Sequence, residues 1–397
     1  MTHLSKIIQS LSESQTIAMA RKSRELIAQG VDIISLSLGE PDFPTPDVIK
    51  EAAKKAIDDN YTYYTHVSGY VELRKAICEK FKRDNNLVYT PEEIVVSTGA
   101  KQSIANAILA ILNPGDEVII PSPYWVSYIE LLKIVGAVPI IVNTTIESDF
   151  KITAQQLEAA TTSRTRMMIF SSPCNPTGSV YSKTELKALA EVVKKYDEFY
   201  VLSDEIYEHI NFVGGHESMA QFDFIKDRVI IINGVSKGFA MTGWRGGILA
   251  APKWIAIACD KMQGQFTSAT CSITQKAMFT AMGLAKETTY YMRDAFIRRR
   301  DLVLNAMKEI PGLKTNKPEG AFYIFPEVSY YFGKSYNGTK ITNGTDLCAF
   351  LLEEAHVALV PGAAFGDDNY VRFSYATADE KLLEAVKRMK NALEKLA

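Results

Sequence analysis

Lys237 stands in the segment Gly234-Val235-Ser236-Lys237, and Arg245 follows eight residues later within Thr242-Gly243-Trp244-Arg245-Gly246-Gly247. The pair comes just after Val229-Ile230-Ile231-Ile232, an apolar run of the kind that forms a buried parallel strand. A lysine at the mouth of such a strand, ringed by small residues, can reach a carbonyl carbon without steric competition. An arginine close by supplies a fixed, planar cation suited to a dianionic phosphate. Together they are what a group carrying an aldehyde and a phosphate needs, bonded at one end and anchored at the other. Taken alone, the segment reads more readily as a surface lysine on a Gly-rich loop. The remaining clusters decide between the two readings.

Those clusters share a position relative to the predicted strands. Short β-branched runs at 94–96, 118–120, 138–142, 167–170, 200–202, 229–232 and 247–249 alternate with helical patterns such as Ile104, Ala107, Ile108 and Ile111. Alternation of this kind predicts an α/β sheet wound with helices on both faces. In such sheets ligands bind beyond the carboxyl ends of the strands. The polar and Gly-rich clusters do follow strands: Ser97-Thr98-Gly99-Ala100-Lys101, Pro121-Ser122-Pro123-Tyr124-Trp125, Asn175-Pro176-Thr177-Gly178, Ser203-Asp204-Glu205-Ile206-Tyr207 and the Lys237 loop. From about residue 290 the pattern changes to helices (298 onward, and 380–397) and short strands such as 321–325, which predicts a smaller α+β unit. A helix over about 14–29, stopped by Gly30, is expected to pack with it. Residues 335–344, rich in Asn, Gly, Thr and Lys, read as an exposed loop.

Bulk properties exclude several classes. The chain has 397 residues, 47% of them hydrophobic and 23% charged, with a formal net charge of -2. That length predicts two or three packed units. The charge argues against a dedicated nucleic-acid surface. No apolar run approaches the ~18–20 residues needed to span a membrane, and the first residues lack a secretory apolar core, so a cytoplasmic protein is expected. Five scattered cysteines form no CxxC pair, so neither a metal site nor a disulfide framework is expected.

Taken in order, the motifs resemble a fold-type I, class I aminotransferase dependent on pyridoxal 5'-phosphate (PLP), closest to the Iβ aspartate aminotransferases. They are Gly39-Glu40-Pro41-Asp42-Phe43, Pro121 to Trp125, Asn175 to Gly178, Ser203 to Tyr207, the Lys237–Arg245 block and Val371-Arg372-Phe373-Ser374-Tyr375. Each is weakly specific alone; six in family order are not. Two positions depart from the pattern. Cys174 replaces a common polar residue, and Gly246 stands where an aliphatic is usual.

The resemblance implies a large domain (46–289) with a mostly parallel seven-stranded sheet. A small α+β domain (290–397) would be joined by the N-terminal segment (1–45). It implies that Lys237 bonds the cofactor aldehyde and later moves the substrate proton. Asp204, a carboxylate costly to bury unpaired, would pair with the protonated ring nitrogen. Asn175 and Tyr207 would bond the 3' oxygen, and Trp125 would stack on the ring. Gly99, Ala100, Ser236 and Arg245 would hold the phosphate, helped by Tyr64 from a second subunit of a homodimer. Arg372 would take the α-carboxylate with Asn175 and the Gly39 backbone, while Lys101, Ser14 and Thr16 would close on a distal carboxylate.

The implied reaction is ping-pong transfer from aspartate to 2-oxoglutarate. Lys101 and Thr16 suit prephenate aminotransferases equally, because prephenate also carries a second carboxylate. Aromatic transamination fits less well, since nothing forms a wholly apolar side-chain pocket. β-Lyases and cyclopropane-forming synthases share the scaffold, but Lys101 argues against them. A DNA-linked sensor would need a helix-turn-helix segment, which is not expected here.

Overall fold

The seven expected strands form one sheet in the computed structural model, which describes residues 3–13 and 15–397. In chain order they are β1 (Ile94–Thr98), β2 (Glu117–Ser122), β3 (Val138–Asn143), β4 (Thr165–Ser171), β5 (Tyr200–Asp204), β6 (Val229–Gly234) and β7 (Gly246–Ala250). Their spatial order is β1-β7-β6-β5-β4-β2-β3. Only β7 runs against its neighbours; the other pairings are parallel.

Every residue of β2, β5, β6 and β7 is buried, which is why these strands read as continuous apolar runs rather than alternating ones. The pleat still sorts their side chains between two cores. Val201 and Ile231 face the core built with helices Val71–Asn85, Lys183–Val193 and Ser272–Gly283. Leu202, Ile230 and Ile232 face the one built with helices Ala100–Ile111 and Lys253–Phe266.

The parallel strands end on one edge, at Thr98, Ser122, Asn143, Ser171, Asp204 and Gly234. Because β7 is reversed, it begins on that same edge, and Arg245 arrives beside the carboxyl ends. Thr98 is paired with Gly246, and Gly234 with Gly247. A Cβ on Gly247 would overlap the Gly99 and Ala100 backbone, so only glycine lets β7 pack against that turn.

The C-terminal part packs helices Tyr290–Met307, Gly344–Glu354 and Asp379–Leu393 around a three-stranded antiparallel sheet of Val360–Pro361, Val371–Ser374 and Tyr323–Ile324. The N-terminal segment joins it: Ile34–Ser35 pairs in parallel with Val357–Ala358, and helix Gln15–Ala28 lays Met19 and Leu26 on the same side.

Two expectations change here. The helix read from 298 onward begins earlier, at Tyr290. The region 335–344 is not a plain loop. Ser335–Tyr336 and Thr339–Lys340 pair as a hairpin, with Asn337 (φ 46°) and Gly338 (φ 82°) in its turn. Asn-Gly is the pair such turns prefer, since both central residues need positive φ. Asn343 then caps the next helix, accepting from the Asp346 N–H at 2.8 Å.

Candidate active site

A cavity of about 260 Å³ opens on the carboxyl edge of the sheet, walled on its far side by the C-terminal part. Lys237 and Asp204 face it from the sheet side. The Lys237 ammonium donates to the Gly39 carbonyl. Loss of water around it, reinforced by the Arg372 cation, lowers the pKa of this lysine to about 8.

Asp204 is 5% exposed. Its Oδ2 accepts from the Tyr128 phenol at 2.8 Å, and its Oδ1 from the Ile206 N–H at 3.3 Å. Burial pushes its carboxyl up to about 6, against those hydrogen bonds. Among the described residues Asp204 forms no ion pair, and the nearby Lys237 charge offsets its burial only in part.

Arg372 lies opposite, only 2% exposed on strand Val371–Ser374. Its Nη1 donates to Asn175 Oδ1 at 3.0 Å and its Nη2 to the Ser37 carbonyl at 2.6 Å. Its Nε is buried without a partner among the described residues. The guanidinium packs 4.5 Å from the Tyr323 ring and 5.0 Å from that of Phe365. The phenols of Tyr323 and Tyr207 are 2.8 Å apart.

The third group is cationic as well. Arg245 holds a positive φ of 57° and donates from Nη1 to the Thr242 carbonyl at 2.9 Å. A Cβ on Gly99 would collide with its guanidinium. Gly99 precedes the 12-residue helix Ala100–Ile111 and offers no side-chain cap, so the helix N-terminus and Arg245 face one space suited to an anion. Ser236 and Ala100 line that part of the cavity. Lys101 sits at the exposed mouth with its ammonium 5.1 Å from the Trp125 ring, and Thr16 and Ile17 flank it.

The sequence-predicted residues Gly39, Ala100, Lys101, Trp125, Asn175 and Asp204 thus meet around one cavity. So do Tyr207, Ser236, Lys237, Arg245, Arg372 and Thr16, with Gly99 against Arg245. Tyr64 stands apart from this wall and is 97% exposed. Ser14 lies outside the described residues.

Sequence reading missed Tyr128 and Tyr323. Tyr128 sits three residues after Trp125, and the spacing could have placed it on the next helix. Tyr323 carried no signal beyond an aromatic in a predicted strand.

The two departures also resolve. Cys174 is buried, and desolvation raises its thiol, which disfavours thiolate chemistry. Gly246 is closely packed: a Cβ there would lie 2.6 Å from Met278 Sδ and 2.9 Å from Val235 Cγ2, so an aliphatic would require those side chains to shift.

Known proteins resemble this chain over nearly its whole length. The model of "Aminotransferase class I and II" matches residues 31–389. The chain belongs to this aminotransferase family. It is 48% identical to the aspartate/prephenate aminotransferase of Cereibacter sphaeroides over 399 residues, covering 98% of each chain. It is 47% identical to a Petunia hybrida bifunctional aspartate aminotransferase and glutamate/aspartate-prephenate aminotransferase, covering 98% of this chain and 82% of that one.

Among solved structures, the aspartate aminotransferase of Rhizobium meliloti superposes with a TM-score of 0.96 at 42% identity, with complete coverage of both chains. That of Thermus thermophilus with maleate superposes at 0.93 and 40% identity, covering 99% and 100%. The fold-type I α/β architecture and aminotransferase activity expected from the motifs are therefore established, and the family implies PLP as cofactor. No helix among the described residues is long and apolar enough to cross a membrane.

Proposed function

We propose that this aminotransferase uses PLP to move the amine of L-aspartate to 2-oxoglutarate, giving oxaloacetate and L-glutamate in two half-reactions. One observation carries the reading. A single cavity holds a lysine with a depressed pKa, a buried carboxylate without a cation, and cations at separate places on the wall.

The residues present fit the cofactor. Asp204 would hold a protonated ring nitrogen, and Tyr207 and Asn175 would bond the 3' oxygen. Trp125 would cover the ring. Arg245, Ser236 and the N–H groups after Gly99 would hold the phosphate. When bound, PLP supplies an electron-accepting ring that stabilises negative charge left at the substrate Cα. The chain does the rest. Arg372 would bind the α-carboxylate through its guanidinium, with Asn175 and Gly39 beside it. Lys237, its ammonium pKa lowered to about 8, would take the proton from the substrate Cα and deliver it to the cofactor carbon that bore the aldehyde.

Lys101 and Thr16, with Ser14, would take the distal carboxylate, and Thr16 and Ile17 would exclude water there. Tyr64, outside the lining of its own cavity and almost fully exposed, would serve the phosphate of a second subunit, and the working unit would then be a homodimer.

A second substrate is favoured by the names of the Cereibacter and Petunia relatives: prephenate, accepted as an amine acceptor. The test is an absorbance titration of the PLP-loaded protein with aspartate, glutamate, phenylalanine and arogenate. Loss of the visible band with aspartate and glutamate alone identifies an aspartate aminotransferase. Equally efficient loss with arogenate adds prephenate amination. A protein that develops no visible band with PLP would overturn the proposal.

A further inference from the structure

The proposed function leaves one buried hydroxyl of the cavity wall without a task. Tyr323 is fully buried, and its phenol meets that of Tyr207 at 2.8 Å. The two residues are 116 positions apart and come from different parts of the fold: Tyr207 follows β5, and Tyr323 belongs to the C-terminal three-stranded sheet.

Hydrogen-bond arithmetic constrains them. A phenol has one proton to give and lone pairs to accept with. Burial pushes both phenols above their ordinary value, so each keeps its proton. If Tyr207 gives its proton to the 3' oxygen, the contact between the two must run from Tyr323 to Tyr207. If instead Tyr207 gave its proton to Tyr323, it would have none for the cofactor.

Tyr323 is held for this orientation. In the sheet register it lies opposite Ser374, two residues from Arg372, whose guanidinium packs on its ring at 4.5 Å. On the other side its hydroxyl fills the space that a Cβ on Gly39 would occupy. Gly39 is the residue whose carbonyl receives the Lys237 ammonium.

We propose that Tyr323 is a positioning residue that donates to the Tyr207 oxygen, so that the Tyr207 proton is committed to the 3' oxygen of the cofactor. This rests on the PLP reading above. The second bond also makes Tyr207 the stronger donor, because hydrogen bonds in a chain polarise one another. A firmer bond at the 3' oxygen favours its ionised form and lowers the pH at which the bound cofactor loses its proton. Arg372, the substrate's carboxylate anchor, fixes the Tyr323 ring, so substrate site and cofactor oxygen share one support.

The test is the pH midpoint of the visible absorbance change of the holoenzyme. Tyr323→Phe, which keeps the ring on Arg372, should raise that midpoint by about half a unit or more, the size of one neutral hydrogen bond. It should lower kcat several-fold with little change in KM for aspartate. Tyr207→Phe should raise the midpoint further, and the double variant should match Tyr207→Phe alone. Gly39→Ala, which drives the Tyr323 hydroxyl away while leaving it in the chain, should reproduce the upward shift.

A wild-type midpoint in Tyr323→Phe, or a double variant equal to the sum of the singles, would overturn the Tyr323 role alone. Absence of a visible band in the wild-type protein would overturn the cofactor reading with it.

Discussion

Two groups of buried charge lie back to back around the segment that follows β5, and they are built on opposite rules. Asp204 turns into the cavity, while Glu205 and Glu208 turn away from it. On the far side each acid is answered. Glu205 accepts from Ser203 and Ser218 hydroxyls at 2.8 and 2.7 Å and meets His216 at 2.9 Å. Glu208 is bonded to the Lys80 ammonium, to Asn85 at 3.1 Å and to His209 at 3.2 Å.

Glu205, Glu208 and His216 come close enough together to suggest a cation site. Lys80 already supplies the positive charge there.

In the cavity, the hydrogen-bond partners of the charges among the described residues are neutral dipoles. The partners of Arg372 are an amide and a carbonyl, that of Lys237 is a carbonyl, and those of Asp204 are a phenol and an N–H. Burying charge is expensive unless it is paired. A protein that balances one cluster so completely and leaves the adjacent one unbalanced has built the second for charges that arrive with ligands.

Substitutions on the two sides should therefore separate activity from stability. The largest effect is expected for Lys237→Ala, which should lower turnover by at least about a thousandfold through loss of the proposed proton-transfer group. The apoprotein should melt no lower than wild type. A lower melt would mean that the cavity lysine is part of the fold's support.

Lys80→Ala should do the reverse. It strands Glu208 and should cost about 3–5 kcal/mol in denaturant unfolding, with kcat of the loaded enzyme within about twofold. Loss of activity at unchanged stability would erase the distinction between the two clusters.

A smaller effect sharpens the function of the cavity mouth. Lys101→Ala should reduce kcat/KM for aspartate by about ten- to a hundredfold, the worth of one charge-assisted contact, while alanine as amino donor is nearly unaffected. Equal losses would remove Lys101 from the distal carboxylate.

The last is a pH effect in the apoprotein. The Asp204 carboxyl is raised in the folded state to about 6 from an ordinary 3.8. Between those values the folded protein binds the extra proton, so stability falls as pH rises through this window and then levels off. Asp204→Asn should remove a fall on the order of 3 kcal/mol. Identical stability profiles for wild type and variant would mean that the carboxylate is compensated after all.

Much of this was legible before any coordinates. All seven sheet strands could be read because buried parallel strands leave short apolar runs between helical patterns. The clusters that follow them mark the carboxyl edge. The hairpin at 335–340 escaped because its strands are two residues each and too exposed to alternate, although Asn337-Gly338 was a usable turn signal. The start of the helix at Tyr290 was missed for a related reason. Tyr290 and Tyr291 are neither strong helix formers nor capped by a side chain.

By itself the sequence determined which strands form, which residue types follow them, and hence that an amine, a carboxylate and several cations belong to one edge. Those are local matters, written in runs of a few residues. Tertiary structure alone decided the pairings across long separations. Reversal of β7 delivers Arg245 to the carboxyl edge, Arg372 meets Asn175 across 197 positions, and Tyr323 meets Tyr207 across the cavity. It also decided which buried charges were left without a countercharge. Side chains act over a few ångströms, so their partners follow from how the chain packs and not from how far apart they lie along it.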